Sequence, residues 1–117
     1  RLRLIEEGVQ AVLAKHKPDQ VATERLLFTV NKTTAMDVAK ALGVVLLVTS
    51  KSGLPWVEFS PPEIKQTVVG NGRADKKQVQ FMVTTLLSLP EPPRPDDVAD
   101  ALAIAITSAL HGRLKTL

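Results

Sequence analysis

Leu2, Ile5, Val9, Val12 and Leu13 recur at the three- and four-residue spacing of a helix, so residues 1–16 are predicted to form an amphipathic helix that Pro18 stops. Residues 20–28, "QVATERLLF", are short, apolar and partly β-branched, and read as a strand with Glu24 near its middle or end. The polar "TVNKTT" that follows reads as a loop. A second helix is predicted over 34–49; its last turns are apolar almost all round, which implies burial on more than one side or an oligomer surface. "KSGLPWVEFS" reads as a turn and a strand over 56–59, with Trp56 packed on the sheet. Ser60 three residues before Glu63, with prolines between, marks the start of a short helix that ends at Gly70. "NGRAD" is a turn, and Asp75 is predicted to cap a helix reaching about Leu89, with Val79, Met82, Val83, Leu86 and Leu87 inward. After the stiff "PEPPRP" comes a final helix over 97–110, with Asp96 as its cap and Gly112 as its terminator.

The resulting order is α, β, α, β, α, α, α. A helical crossover between the two strands favours a parallel pair. Two short strands are too few for a stable sheet. Arg1 already lies inside a helical pattern, which leads us to expect companion strands ahead of it. At 117 residues one domain is expected, here an N-terminally incomplete one spanning 1–117.

Composition changes this picture little. A hydrophobic share of 44% supports a packed core and excludes a disordered chain. The net charge of +3 permits nucleic acid as a partner without demanding it. With no cysteine, disulfides, thiolate metal sites and cysteine nucleophiles are excluded, which suits a reducing cytoplasm. The longest apolar run, 44–48, cannot span a bilayer. Only four aromatics occur (Phe28, Trp56, Phe59 and Phe81), too few for a base-stacking platform. No HExxH, GxSxG or dinucleotide-binding glycine pattern is present.

Candidate chemistry centres on acids. "RPDDVADALAIAI" puts Asp96, Asp97 and Asp100 where an apolar helix begins, and Asp97 and Asp100 share one helical face. Acids there also serve ordinary capping and dipole chemistry. Glu24 is a third acid, set in an apolar strand where it needs a metal or an ion-pair partner such as Arg25 or a lysine. Carboxylates are hard ligands suited to Mg²⁺ or Mn²⁺, and two such ions about 3.5–4 Å apart can clamp a phosphodiester displacement. Lys65, Arg73, Lys76 and Lys77 surround a Gly-Asn-Gly turn. Lysines at a helix start oppose its dipole, a choice that a phosphate partner explains and that a solvated loop also tolerates. His16 and His111 each read as a helix C-terminal histidine.

"ATERLLF", "IKQTVVGNGRADKKQVQFMV" and "DDVADALAIAI", in this order and spacing, closely resemble the RuvC family of bacterial Holliday-junction resolvases. The resemblance covers essentially the whole chain. It implies a ribonuclease H-like α/β fold, a mixed sheet flanked by helices, with its N-terminal strands missing. It implies a homodimer that nicks four-way DNA junctions symmetrically with Mg²⁺ or Mn²⁺, two ions to a site. Branch-migration motor proteins of the same recombination system are implied partners, and a cytoplasmic location follows. Glu24, Asp97 and Asp100 match the family's metal-binding acids, and Lys65 and Lys76 its lysines beside the cut phosphate. Lys77 and Arg73 are further DNA contacts, and Phe28 is placed nearest the aromatic that meets the junction centre. The second helix is expected at the dimer interface. The family's first-strand Gly-Ile-Asp motif has no counterpart, so the chain alone is expected to be inactive. One rival is a junction-binding module without catalysis. A more distant rival is a phosphotransferase on a related core, which lacks the glycine-rich phosphate loop it would need.

Overall fold

In a computed structural model, residues 1–25 and 32–116 are described, with side chains through residue 112 apart from those of Lys32 and Thr33. The elements are α1 (Leu2–His16), β1 (Val21–Glu24), α2 (Lys32–Lys51), β2 (Trp56–Phe59), α3 (Pro61–Val69), α4 (Lys76–Leu86) and α5 (Asp96–Thr116). Order and type follow the hydrophobic pattern. β1 and β2 are hydrogen-bonded neighbours. The Val21 N–H donates to the Pro55 carbonyl at 3.0 Å and the Arg25 N–H to the Phe59 carbonyl at 2.8 Å. Both bonds join residue n to residue n + 34, so the strands run parallel, as the helical crossover requires.

The chain forms two compact units, Arg1–Val21 with Leu26–Val57, and Ala22–Arg25 with Glu58–Leu117. In the first, α1 packs along α2. Ile5, Val9 and Leu13 are half-buried at four-residue spacing, while Leu2 and Val12, expected on the same stripe, stay exposed. Lys17 closes α1 in the left-handed region at φ 46°, its N–H returning to the Leu13 carbonyl. α2 begins earlier than the pattern suggested. Among its described residues, only Val48 and Thr49 near its end are fully buried, whereas Leu47 between its apolar neighbours is 51% exposed.

In the second unit, α3, α4 and α5 pack against one another. Their shared core holds Ile64 and Val68 from α3, Val79 and Val83 from α4, and Ala99, Ala103 and Thr107 from α5. Burying a valine fully contributes about 1.5–3 kcal/mol. The α5 side of this core is small, so the helices approach closely. Thr107 satisfies its hydroxyl on the Ala103 carbonyl at 2.8 Å, which lets a polar residue sit fully buried.

The helix starts are made by short side chains. The Ser60 hydroxyl oxygen accepts from the Glu63 N–H, and its hydrogen goes to the Glu63 carboxylate. Asp75 accepts from the Gln78 N–H at 2.8 Å while the Gln78 side chain accepts from the Asp75 N–H at 2.8 Å, a reciprocal box. Gly70 ends α3 at φ 88°, a conformation that a side chain would strain.

Four further sequence expectations change. Asp96 is the first residue of α5, not its cap; Pro95 precedes it, and the Pro95 carbonyl accepts from the Val98 N–H. Gly112 does not stop α5, which runs through it to Thr116. A glycine inside a helix costs only about 1 kcal/mol, and the flanking turns outweigh that. α4 ends at Leu86, so Leu86 and Leu87 face solvent. His111 is not a terminal histidine: it lies inside α5, half-buried, with its ring 5.0 Å from that of Phe59. The Thr67 hydroxyl donates to the Glu63 carbonyl, so the His111 Nε2 lying 3.3 Å from that hydroxyl acts as donor.

Candidate active site

β1 ends at Glu24, α3 carries Lys65 one turn beyond its proline start, α4 opens with Lys76, and α5 brings Asp100 in its second turn. These four side chains line one cleft of about 260 Å³ in the second unit. Its floor and walls are apolar, formed by Pro61, Ile64, Val79, Ala103 and Ile104. Asp100, Ala103 and Ile104 lie three and four residues apart, so one face of α5 supplies both an acid and its greasy support.

Glu24 feels this setting. Burial pushes its carboxyl above the ordinary carboxylate range, the negative charge of Asp100 pushes it further, and the Lys65 ammonium pulls it back. The residue remains exposed at the mouth, so the carboxyl is desolvated on one side only. Sequence reasoning had allowed Arg25 as its partner. Instead the Arg25 Nε pairs with Glu58 at 3.4 Å, and Glu24 is left to the cleft.

Lys76 is also held from outside the cleft. Its ammonium lies 3.5 Å from the Asp96 Oδ2, and the Gln80 Nε2 donates to the Asp96 Oδ1 at 3.1 Å. Gln80 escaped sequence reasoning. Its position four residues after Lys76, on the same helical face, was the available signal.

The remaining candidates lie elsewhere. Asp97, in the first turn of α5, is exposed and does not line the cleft. Among the described residues, no three acids or histidines lie close enough together to hold a metal. Lys77 borders a shallow depression with Phe81 and Met82, because successive helix residues point about 100° apart. Arg73 is exposed in the turn before α4, where its N–H donates to the Asn71 side chain. Phe28 lies outside the described residues.

A parallel strand pair with a carboxylate at its end, beside an acid on a long C-terminal helix and two lysines, is the arrangement expected of a ribonuclease H-like nuclease. The comparisons specify it further. The family described as "Crossover junction endodeoxyribonuclease RuvC" matches residues 1–108. Crossover junction endodeoxyribonuclease RuvC of Desulforamulus reducens is 47% identical over 120 residues, covering 98% of this chain and 74% of that protein. The protein of the same name from Heliobacterium modesticaldum is 51% identical over 109 residues, covering 93% of this chain and 67% of the relative. A solved structure of Thermus thermophilus RuvC in complex with a Holliday junction substrate superposes with a TM-score of 0.92 at 39% identity, covering 98% of this chain and 70% of that one. The chain belongs to the RuvC family of crossover junction endodeoxyribonucleases.

Proposed function

We propose that this chain forms the catalytic part of an endonuclease that resolves four-way DNA junctions by hydrolysing phosphodiester bonds, in recombination and repair. The observation that carries this reading is the convergence of Glu24 and Asp100 with Lys65 and Lys76 on one cleft, from four separate elements. The two ammoniums attract the backbone phosphate and offset the charge that builds on it as the bond breaks. The apolar floor excludes water on one side and strengthens these interactions.

Glu24 and Asp100, the two carboxylates of the cleft, are hard oxygen donors of the kind a divalent cation takes and lie within electrostatic reach of one another; Asp97 stands outside the cleft at the same helix end and completes the set only by turning toward it. Glu24, Asp97 and Asp100 are the residues we assign to the cation, with Mg²⁺ or Mn²⁺, two ions per site, as the proposed occupants. When bound, it would supply the positive charge that polarises the phosphate and the attacking water. Lys77, Arg73 and Phe28 are proposed as further DNA contacts outside the cleft.

Symmetric nicking of two strands requires two sites, and we propose a homodimer. Met36, Val38 and Leu47 on α2 are each close to half exposed or more, which supports α2 as the contact surface. Both units are read as parts of one nuclease domain, acting in the cytoplasm beside branch-migration motors. Among the described residues no helix is long and apolar enough to cross a membrane.

The test is cleavage of a synthetic four-way junction by the complete nuclease. Glu24→Gln and Asp100→Asn are expected to abolish cutting in Mg²⁺ while junction binding persists. Normal cutting by either variant overturns the assignment. Binding without cutting by the unsubstituted protein favours a non-catalytic junction-binding module.

A further inference from the structure

Asp96 lies outside the set of acids that the family resemblance assigns, and α5 does not use it as a cap. Both its oxygens are nevertheless engaged: Oδ1 accepts from the Gln80 side-chain amide at 3.1 Å, and Oδ2 faces the Lys76 ammonium at 3.5 Å. Lys76 and Gln80 sit four residues apart on α4, so one face of that helix is tied to the start of α5. Lys76 also lines the cleft with Glu24, Lys65 and Asp100. Lys76 therefore has a counter-ion on one side and the cleft on the other. At the first position of α4 that ammonium opposes the helix dipole, and Asp96 offsets the opposition.

We infer that Asp96 is a positioning residue for Lys76: it holds the ammonium at the lip of the cleft, and an incoming phosphate takes the lysine by displacing the carboxylate. This rests on the nuclease reading of the cleft. One consequence follows: the displaced carboxylate is left facing the DNA backbone, which weakens binding. The Lys76 and Asp96 side chains are 57% and 62% exposed, so the pair acts at the scale of a few-fold change.

The experiment compares Asp96→Asn, Lys76→Ala and the double variant in the complete nuclease, on a synthetic immobile four-way junction. Asp96→Asn is expected to tighten binding by about two- to five-fold at low salt, the gain fading as salt rises, and KM falls with it. In the Lys76→Ala background the same substitution is expected to lose most of its effect on binding. A gain of equal size in that background overturns the inference, because Asp96 would then act on DNA directly. A second measurement needs no DNA: the Gln80 side-chain amide resonances are expected to move in Lys76→Ala as well as in Asp96→Asn. Unmoved resonances in Lys76→Ala with normal junction binding overturn the inference alone. Moved resonances in a protein that binds no junction place the failure in the nuclease reading, and the handover to phosphate falls with it.

Discussion

Lys65 and Lys76 are both lysines of the cleft, yet their surroundings predict different responses to salt. Each phosphate that a protein neutralises releases condensed counterions, lowering the log–log slope of affinity against salt by about 0.9. Over a fourfold rise in salt, from roughly 50 to 200 mM, one such contact weakens binding by about 3.5-fold. Among the described residues Lys65 has no carboxylate within ion-pair distance, although it acts on Glu24 from further off. Lys65→Ala is therefore expected to flatten the slope by nearly the full ~0.9 of one contact. Lys76 starts with Asp96 as counter-ion. When phosphate replaces that carboxylate, Asp96 must gather a cation from solution, which cancels part of the release. Lys76→Ala is thus expected to flatten the slope clearly less. Fluorescence anisotropy of a labelled four-way junction, without divalent metal and across that salt range, measures both slopes. An equal change for the two lysines refutes the argument from local pairing, and an unchanged slope for Lys65→Ala removes Lys65 from the DNA surface.

Other expectations follow from particular contacts. The Glu24 carboxyl is raised in the folded state, so this group's contribution to folding stability is most favourable below the unfolded value near 4.5 and is lost as pH rises through the folded value. Glu24→Gln is accordingly expected to be inactive yet more stable than the parent at pH 7, the difference closing in acid; thermal denaturation against pH checks the sign. Val83 is fully buried in α4, so Val83→Ala is expected to cost about 2 kcal/mol in urea denaturation, from lost burial and the cavity it leaves. Asp75→Ala removes the acceptor for the Gln78 N–H and should cost about 1 kcal/mol by the same assay. A loss near zero would mean that solvent replaces the cap.

Much of the fold was legible because its signals are local. Ser60 and Asp75 cap helices where their side chains stand in the sequence, and Gly70 ends α3 through its own backbone freedom. The errors arose where a local signal met a distant partner. Asp96 looked like a cap, but Pro95 holds that place and Asp96 is drawn to α4. Gly112 looked like a stop, but the flanking turns carry α5 through it. His111 looked like a dipole partner, whereas Phe59 and Thr67, more than forty residues away in sequence, define its role. Within the site, the strand-end acid, the α5 acid and two lysines were readable as residue types. Their division was not: adjacent lysines at 76 and 77 point to different surfaces, and only packing decides which one meets the cleft.

The segment Ala22–Arg25 belongs with Glu58–Leu117, although more than thirty residues separate them. The cleft is therefore discontinuous in sequence, and Glu24 arrives in it through strand pairing across that gap. Closing a loop of this length costs entropy before any long-range contact repays it. The cleft proposed to cut DNA is complete only once that long-range pairing has formed.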